Sequence, residues 1–473
     1  MIQHVNHVAL LPLYAAAGTA LLVLVAELAT GRRGAVAGTL LVGGLATAVC
    51  AIAVDGRTGS TFCTGSNCSW VISPVATVAA VLFAALTAGV LALSLPALRL
   101  GTAPAGEFCF LLASSMTGGV VIGYAGDLVT LIVGLETLTL PLYVLVGLRR
   151  FVPRFAQPAA TSASAALTFF VISVVSTALS LLGAALLYAA TGALHLSALT
   201  VGNGPYARLG AVGVALIVIG FGFKVAAVPM HAWAPATYDG APLPVAAYLS
   251  TASKLGGVVA LAAVVAKLDS GPLVGVLAVL TMTVGNLVAL RQTRIVRLFA
   301  WSSVAQAGYI IAPLAVGARG VGAAAAYAAF FVVLEFIAFG TVVALRPVGA
   351  DGGDIAAYRG AARRSPWLGA AMVLALAGLA GLPPGLAGLF AKVTIVNALI
   401  HTGWGWLAGV VALNAVIALA YYVRVAATLY AGPVGLRAPR AAVGWPVAAA
   451  LLGFAVVAVV LGFAPQLLFA SLS

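Results

Sequence analysis

The sequence predicts an all-α polytopic membrane protein with about 14 transmembrane helices, arranged as two inverted five-helix repeats that each contain a broken helix. Three observations carry this reading. The 473 residues are 63% hydrophobic and only 7% charged, with mean hydropathy +1.17, whereas soluble domains run near about a quarter charged. The apolar residues form continuous runs, each long enough as helix to cross a bilayer core about 30 Å thick, rather than the short alternating segments of a β-barrel. The arginines fall in alternate loops, which is the pattern that orients membrane proteins.

In chain order the apolar runs lie near 8–30, 34–54, 74–98, 105–124, 127–148, 158–190, 208–230, 244–267, 271–290, 297–316, 322–346, 366–400, 404–431 and 443–471. They divide into N-terminal helices (1–104), a first repeat (105–270), a second repeat (271–431) and a C-terminal helix (432–473). Residues 1–7, MIQHVNH, carry no Lys or Arg, and the run that follows is too long for a signal h-region, so it is expected to stay as the first helix. Assigning alternate loops to two sides puts Arg32, Arg33, Arg99, Arg149, Arg150, Arg154, Arg291, Arg294, Arg297, Arg346, Arg359, Arg363, Arg364, Arg437 and Arg440 on one side. Only Arg57, Arg208, Lys267 and Arg319 fall on the other. The net charge of +13 therefore reflects topology rather than nucleic-acid binding, and both termini are expected outside the cytoplasm.

Other signals narrow the chemistry. No Gly-rich turn joins a strand to a helix, as a nucleotide site requires. The five histidines are scattered and no Cys pair has haem or iron–sulfur spacing, so no redox centre is expected in this chain. Cys50 and Cys109 read as small core residues. Cys63 and Cys68, in the loop DGRTGSTFCTGSNCSW, are either a disulfide or free thiols on the outer side. The 54 glycines suit close helix packing in lipid.

The informative residues are the ionisable ones at membrane depth. Glu136 lies about 14 Å into its run and Lys254 about 15 Å into its own, both near the midplane. Lys224, Glu335 and Lys392 also sit inside apolar runs, although the chain has only four lysines. A charge at the centre of a spanning helix costs roughly 2.5–3.5 kcal/mol. Several such groups together point to an ion or proton path rather than to structural pairing alone. The segments VPMHAWAP (228–235) and GLPPG (381–385) interrupt their runs and free backbone groups that only a polar cavity or a neighbouring helix can satisfy. Two interrupted helices about 155 residues apart, each with a lysine nearby, are what an internal repeat in a transporter produces.

The stretch FKVAAVPMHAWAPATYDGAPLPVAAYLSTASK (223–254) resembles the signature of the antiporter-like subunits of bacterial NADH–quinone oxidoreductase, respiratory complex I. GLETLTLPLYVLVG (134–147), GNLVALRQTRIVRLFAWSSVAQAGYI (285–310) and LAGLPPGLAGLFAK (379–392) are similar to further family motifs in the same order. The resemblance covers about 105–430, and LPLY with GAPLPVAAYLSTASK places it on the subunit N branch rather than L or M. It implies a proton-translocating subunit of the bacterial cell membrane, driven by quinone reduction in other subunits. NADH, FMN, iron–sulfur clusters and quinone would belong to those partners and no cofactor to this chain. Its partners would be the other membrane-arm subunits and the lipid bilayer.

The resemblance assigns Glu136 and Lys224 as an interacting pair, Lys254 as the central lysine and Lys392 as the lysine on the route to the outer face. Protons would enter from the cytoplasm, be held at Lys254 and leave past Lys392. The chain departs from the family pattern at three places: Thr168 in LTFF where a lysine is common, Gln306 in SSVAQAGY where a histidine is common, and Glu335 where an asparagine is common. His231 and Tyr422 are candidates either for a hydrated branch or for packing. Two alternatives remain open at this stage, a subunit of a multisubunit cation/proton antiporter and a structural membrane subunit without pumping.

Overall fold

The computed structural model describes residues 5–57, 59–148, 159–201, 204–432 and 443–472. The expectations for Arg149, Arg150, Arg154, Arg437 and Arg440 lie outside the described residues. Long apolar helices dominate because in lipid each spanning segment must satisfy its own backbone. The first two, α1 (Leu11–Thr30) and α2 (Arg33–Val54), lead to a hairpin of β1 (Ser60–Thr64) and β2 (Asn67–Val71). The chain continues through α3 (Pro74–Arg99), α4 (Ala105–Tyr124), α5 (Leu128–Gly147) and α6 (Ala159–Thr191).

Next comes an interrupted helix, α7 (Ala207–Lys224) with α8 (Trp233–Gly240). A second unit follows, in which α9 (Leu243–Tyr248) and α10 (Lys254–Val265) are joined by a π-helical turn at Leu249–Ser253. The chain then forms α11 (Gly271–Ala289), α12 (Ile295–Ile311), a 3-10 segment (Ala312–Gly320) and α13 (Val321–Leu345). After α14 (Ala361–Arg364) a second interruption separates α15 (Pro366–Ala380) from α16 (Leu386–His401), and α17 (Gly405–Tyr430), α18 (Trp445–Phe463) and α19 (Gln466–Leu472) complete the described chain. Among the described residues 12 helical stretches are long and apolar enough to cross a membrane. One of them, Ile295–Leu345, contains both α12 and α13, and α15 and α16 are shorter apolar helices.

Among the described residues the hairpin is the one departure from an all-helical expectation. The 55–70 loop is poor in helix formers, and Cys63 pairs with Cys68 both across the ladder and through a disulfide. Trp70 of β2 stacks on Tyr124 at 4.8 Å, and Ser197 donates to Asn67 at 2.7 Å, so the hairpin is tied to the end of α4 and to the connection after α6. The opposite face gathers the arginine-rich loops: Arg33 donates to the Leu98 and Arg99 carbonyls, Arg363 to Tyr430, and Arg424 to Leu290 and Gln292.

Burial separates two layers. The α9–α10 unit and α13 are buried almost throughout, whereas α1, α2, α6 and α18 turn large apolar side chains such as Leu28, Val42, Leu182 and Phe463 outward. An apolar exterior of this extent is stable only against lipid or other apolar surfaces.

Candidate functional site: a line of buried charges

The first site group forms where α7 ends. Lys224 is the last residue of α7, and its ammonium donates to Glu136 Oε1 at 2.8 Å, Ser173 Oγ at 3.0 Å and Thr139 Oγ1 at 3.1 Å. Lys224 is buried, while Glu136 leaves 30% of its side chain uncovered by this chain. Glu136 also accepts from Thr177 at 2.5 Å, and Tyr143 donates to Ser173. Helices α5, α6 and α7 thus converge on one ion pair, with hydroxyls filling the remaining valences. That is the condition under which a buried pair is tolerated.

The break after Lys224 is stabilised by its neighbours. The indole of Trp233 donates to the Phe223 carbonyl at 3.1 Å, and the Val228 amide donates to Thr281 at 3.0 Å. On α10, Gly257 lies directly against Lys224: a Cβ there would sit 2.8 Å from its carbonyl carbon and 2.9 Å from its Cβ. Only a glycine lets α10 approach this closely.

The second group is central. Lys254 follows the π turn, about 16 Å along the helical path from Leu243, and is fully buried. Its ammonium donates to the Ser303 carbonyl at 2.5 Å. A π turn adds one residue to the helical circuit, and such bulges concentrate at functional sites. Glu335 lies on α13 about 15 Å from that helix's end at Leu345, buried in the bundle interior as expected. Neither carboxyl oxygen has a hydrogen-bond partner among the described residues, and the Ser303 hydroxyl is also unpartnered.

The third group links this centre to the second break. Tyr422 on α17 contacts Ser302 at 2.5 Å and accepts from Gln306 at 3.0 Å, and Tyr327 donates to Gln306 at 2.6 Å. Gln306 also donates to the Leu379 carbonyl at 2.9 Å. Lys392 on α16 reaches back across the break to the same carbonyl at 2.8 Å and to Ala380 at 2.6 Å, and its ammonium lies 5.2 Å from the Tyr309 ring. The freed carbonyls at the end of α15, which carry the negative pole of that half-helix, are thus satisfied by a cation. Gly381 has φ +83°, and a Cβ on it would press against the lysine stem. Both breaks contain a cis proline bond, at Val228–Pro229 and Pro383–Pro384.

The structure therefore pairs Glu136 with Lys224 and buries Lys224, Lys254, Glu335 and Lys392 in an interior band of the bundle. It places His231 beside that band. The His231 ring lies 5.1 Å from Trp301, and its Nδ1 lies 3.2 Å from the Pro229 carbonyl. Thr168 is half-buried and bonds the Ser164 carbonyl of its own helix.

Several contributors lie outside the residues singled out from sequence. Asn286 donates to Tyr309 at 2.9 Å and to Asn414 at 3.1 Å, and accepts from Tyr421 at 3.0 Å, forming a buried cluster next to Lys392. Arg294 clasps Asp239 at 3.0 Å and Asp351 at 2.8 Å, and Arg346 joins Asp351. Sequence counting reads these arginines as orientation signals, and only their loop partners show the clasp. Among the described residues no group of three or more His, Cys, Asp or Glu is placed to hold a metal ion.

Comparison with known proteins now decides the family. Residues 125–418 match the NADH:quinone oxidoreductase/Mrp antiporter transmembrane family. The chain is 60% identical to NADH-quinone oxidoreductase subunit N of Salinispora tropica, over 91% of this chain and 86% of that one. The chain belongs to the subunit N family of NADH-quinone oxidoreductase. A subunit N 2 of Streptomyces griseus is 45% identical, over 70% of this chain and 64% of its own. Among solved structures, a chain of respiratory complex I from Thermus thermophilus superposes with TM-score 0.83 at 27% identity, covering 98% of this chain and 99% of that one. A chain of the Mrp complex from Dietzia has the same fold, with TM-score 0.81 at 20% identity, covering 98% and 96%. As a subunit N family member the protein is a multi-pass, antiporter-like membrane subunit of an oxidoreductase complex, and the interior band of charges lies within the family-matched region.

Proposed function

We propose that the chain translocates protons across the bacterial cell membrane, from cytoplasm to outside, through the Glu136–Lys224, Lys254, Glu335 and Lys392 band. The single observation that supports this best is the concentration of ionisable groups in the interior. Lys224, Lys254, Glu335 and Lys392, on four different helices, are buried, Glu136 is partly covered beside Lys224, and hydroxyl, carboxylate and backbone carbonyl groups accept from the three lysines. A structural role alone does not require a carboxylate whose two oxygens are unpartnered. In this reading Glu136 holds the Lys224 charge, Lys254 stores the proton, and Glu335 with Gln306 and Tyr422 connects it to Lys392. His231 flanks the entry side.

The energy is supplied by partner subunits that hold NADH, FMN, iron–sulfur clusters and quinone, so this chain is a translocase component. The two interrupted units, α7–α8 and α15–α16, support division into repeats at 105–270 and 271–431, flanked by 1–104 and 432–473, with fourteen crossings in all. The gathering of arginines on one face supports termini outside the cytoplasm.

The test is Lys254→Ala in membranes carrying the intact complex. The complex is expected to assemble, because removing a buried lysine without adding a polar group need not destabilise. The proton-to-electron ratio is expected to fall. A wild-type ratio would refute the central role of Lys254.

A further inference from the structure

The arginine-rich face contains a cavity of about 870 Å³, towards the upper end of small-molecule sites, about 300–1,000 Å³. Its walls are the last turns of α3 and α13 and the first turns of α9 and α18. Ala97, Leu243, Val343 and Val447 line its apolar part, while Arg99, Arg346 and Arg364 all contribute to its lining. No acidic side chain lines it, and all ten acidic residues of the chain are among the described residues. Arg346 is paired with Asp351. Among the described residues Arg99 and Arg364 have no carboxylate within 4 Å, and Arg364 donates to the Arg359 carbonyl.

We infer that this cavity binds one anionic phospholipid, its phosphate held by Arg99 and Arg364 and its acyl chains seated against the apolar wall. Guanidinium groups match phosphate oxygens in forked pairs, and basic hollows between helix ends at the membrane surface are where anionic headgroups are recognised. A neutral isoprenoid would fill the apolar part but leave the guanidiniums unmet, and a zwitterionic lipid would bring a headgroup cation beside arginines that have no carboxylate to offset it. The site also has mechanical reach. Leu243 begins the unit that leads to Lys254, and Val343 lies in the last turn of the helix that carries Glu335, so a bound lipid braces the two helices that carry the central charges. This consequence rests on the proton-path reading, whereas binding itself does not.

The test uses the detergent-purified complex with two photoactivatable lipids of equal acyl length, a phosphatidylglycerol and a phosphatidylcholine, followed by peptide mapping. The phosphatidylglycerol is expected to label peptides spanning 93–100 or 343–350 at least fivefold more than the phosphatidylcholine. Arg99→Gln with Arg364→Gln should cut that labelling at least fivefold while the complex still assembles on a native gel. If the double variant does not assemble, Arg99→Gln alone, on an exposed side chain, should still lower it clearly. Ala97→Trp, which intrudes on the apolar part of the cavity, should lower labelling by either lipid. Equal labelling by the two lipids, labelling unchanged by loss of the arginines, or the chain's own residues filling the cavity would each overturn the assignment. Proton pumping is measured in parallel: lost pumping with retained labelling bears on the proton path, and lost labelling with retained pumping bears on the lipid site alone.

Discussion

At the scale of single residues, the chain solves the problem of charge in lipid in three different ways. Lys224 has a carboxylate and two hydroxyls, Lys254 has a backbone carbonyl of another helix, and Lys392 has two carbonyls of a broken helix with an aromatic ring beside it. The difference predicts different mutant behaviour. At an effective dielectric near 20, the attraction between two unit charges is about 4 kcal/mol at 4 Å and falls as they separate, so Glu136 and Lys224 should act as one unit. Glu136→Gln is expected to impair pumping nearly as much as Lys224→Ala, with the double variant no worse than the worse single one. Additive losses in that cycle would show two independent groups. For Glu335, Gln keeps the shape and removes the ionisable oxygen. Pumping is expected to drop in Glu335→Gln while assembly is kept, and an unchanged rate would leave Glu335 a packing role only.

At the scale of elements, the interruptions are held open by specific partners rather than by looseness. Trp233 and Thr281 satisfy the first, Gln306 and Lys392 the second. The clasp of Arg294 with Asp239 and Asp351 anchors the end of α8 to the start of α12 and to the loop after α13. Burial opposes ionisation of Asp351, but the Arg294 and Arg346 guanidiniums outweigh it and hold its carboxyl below the ordinary value of 3.8. A depressed carboxylate contributes stability that is fully present above its unfolded value and is lost as pH falls through the lower folded one. The melting advantage of the wild type over Asp351→Asn should therefore stay constant between about pH 5 and pH 7 and shrink below about pH 4. Its size should be about 1–2 kcal/mol, since the pair is only partly buried. An advantage that grows on acidification would contradict the clasp.

At the scale of the whole molecule, the arginine-rich loops meet on one face and the disulfide hairpin lies on the other. With its four native cysteines replaced, Thr402→Cys should react with a membrane-impermeant maleimide on intact cells and Arg364→Cys only after permeabilisation; the reverse pattern would invert the topology. The amino-acid sequence by itself determined the membrane class, the helical runs, the two breaks and the buried lysines, because each is a local matter of hydropathy, proline and the cost of charge in lipid. Local pattern does not report on partners distant in the chain. That Gly257 sits against Lys224, and that Tyr422, Gln306 and Asn286 bond one another's helices beside the buried lysines, follow from contacts between helices far apart in sequence. The π turn before Lys254 is likewise invisible to periodicity, since one added residue in a fully apolar helix leaves its hydrophobic pattern unchanged. Tertiary packing alone decided which of the buried polar groups face one another, because in lipid every polar group must find its partner within the protein.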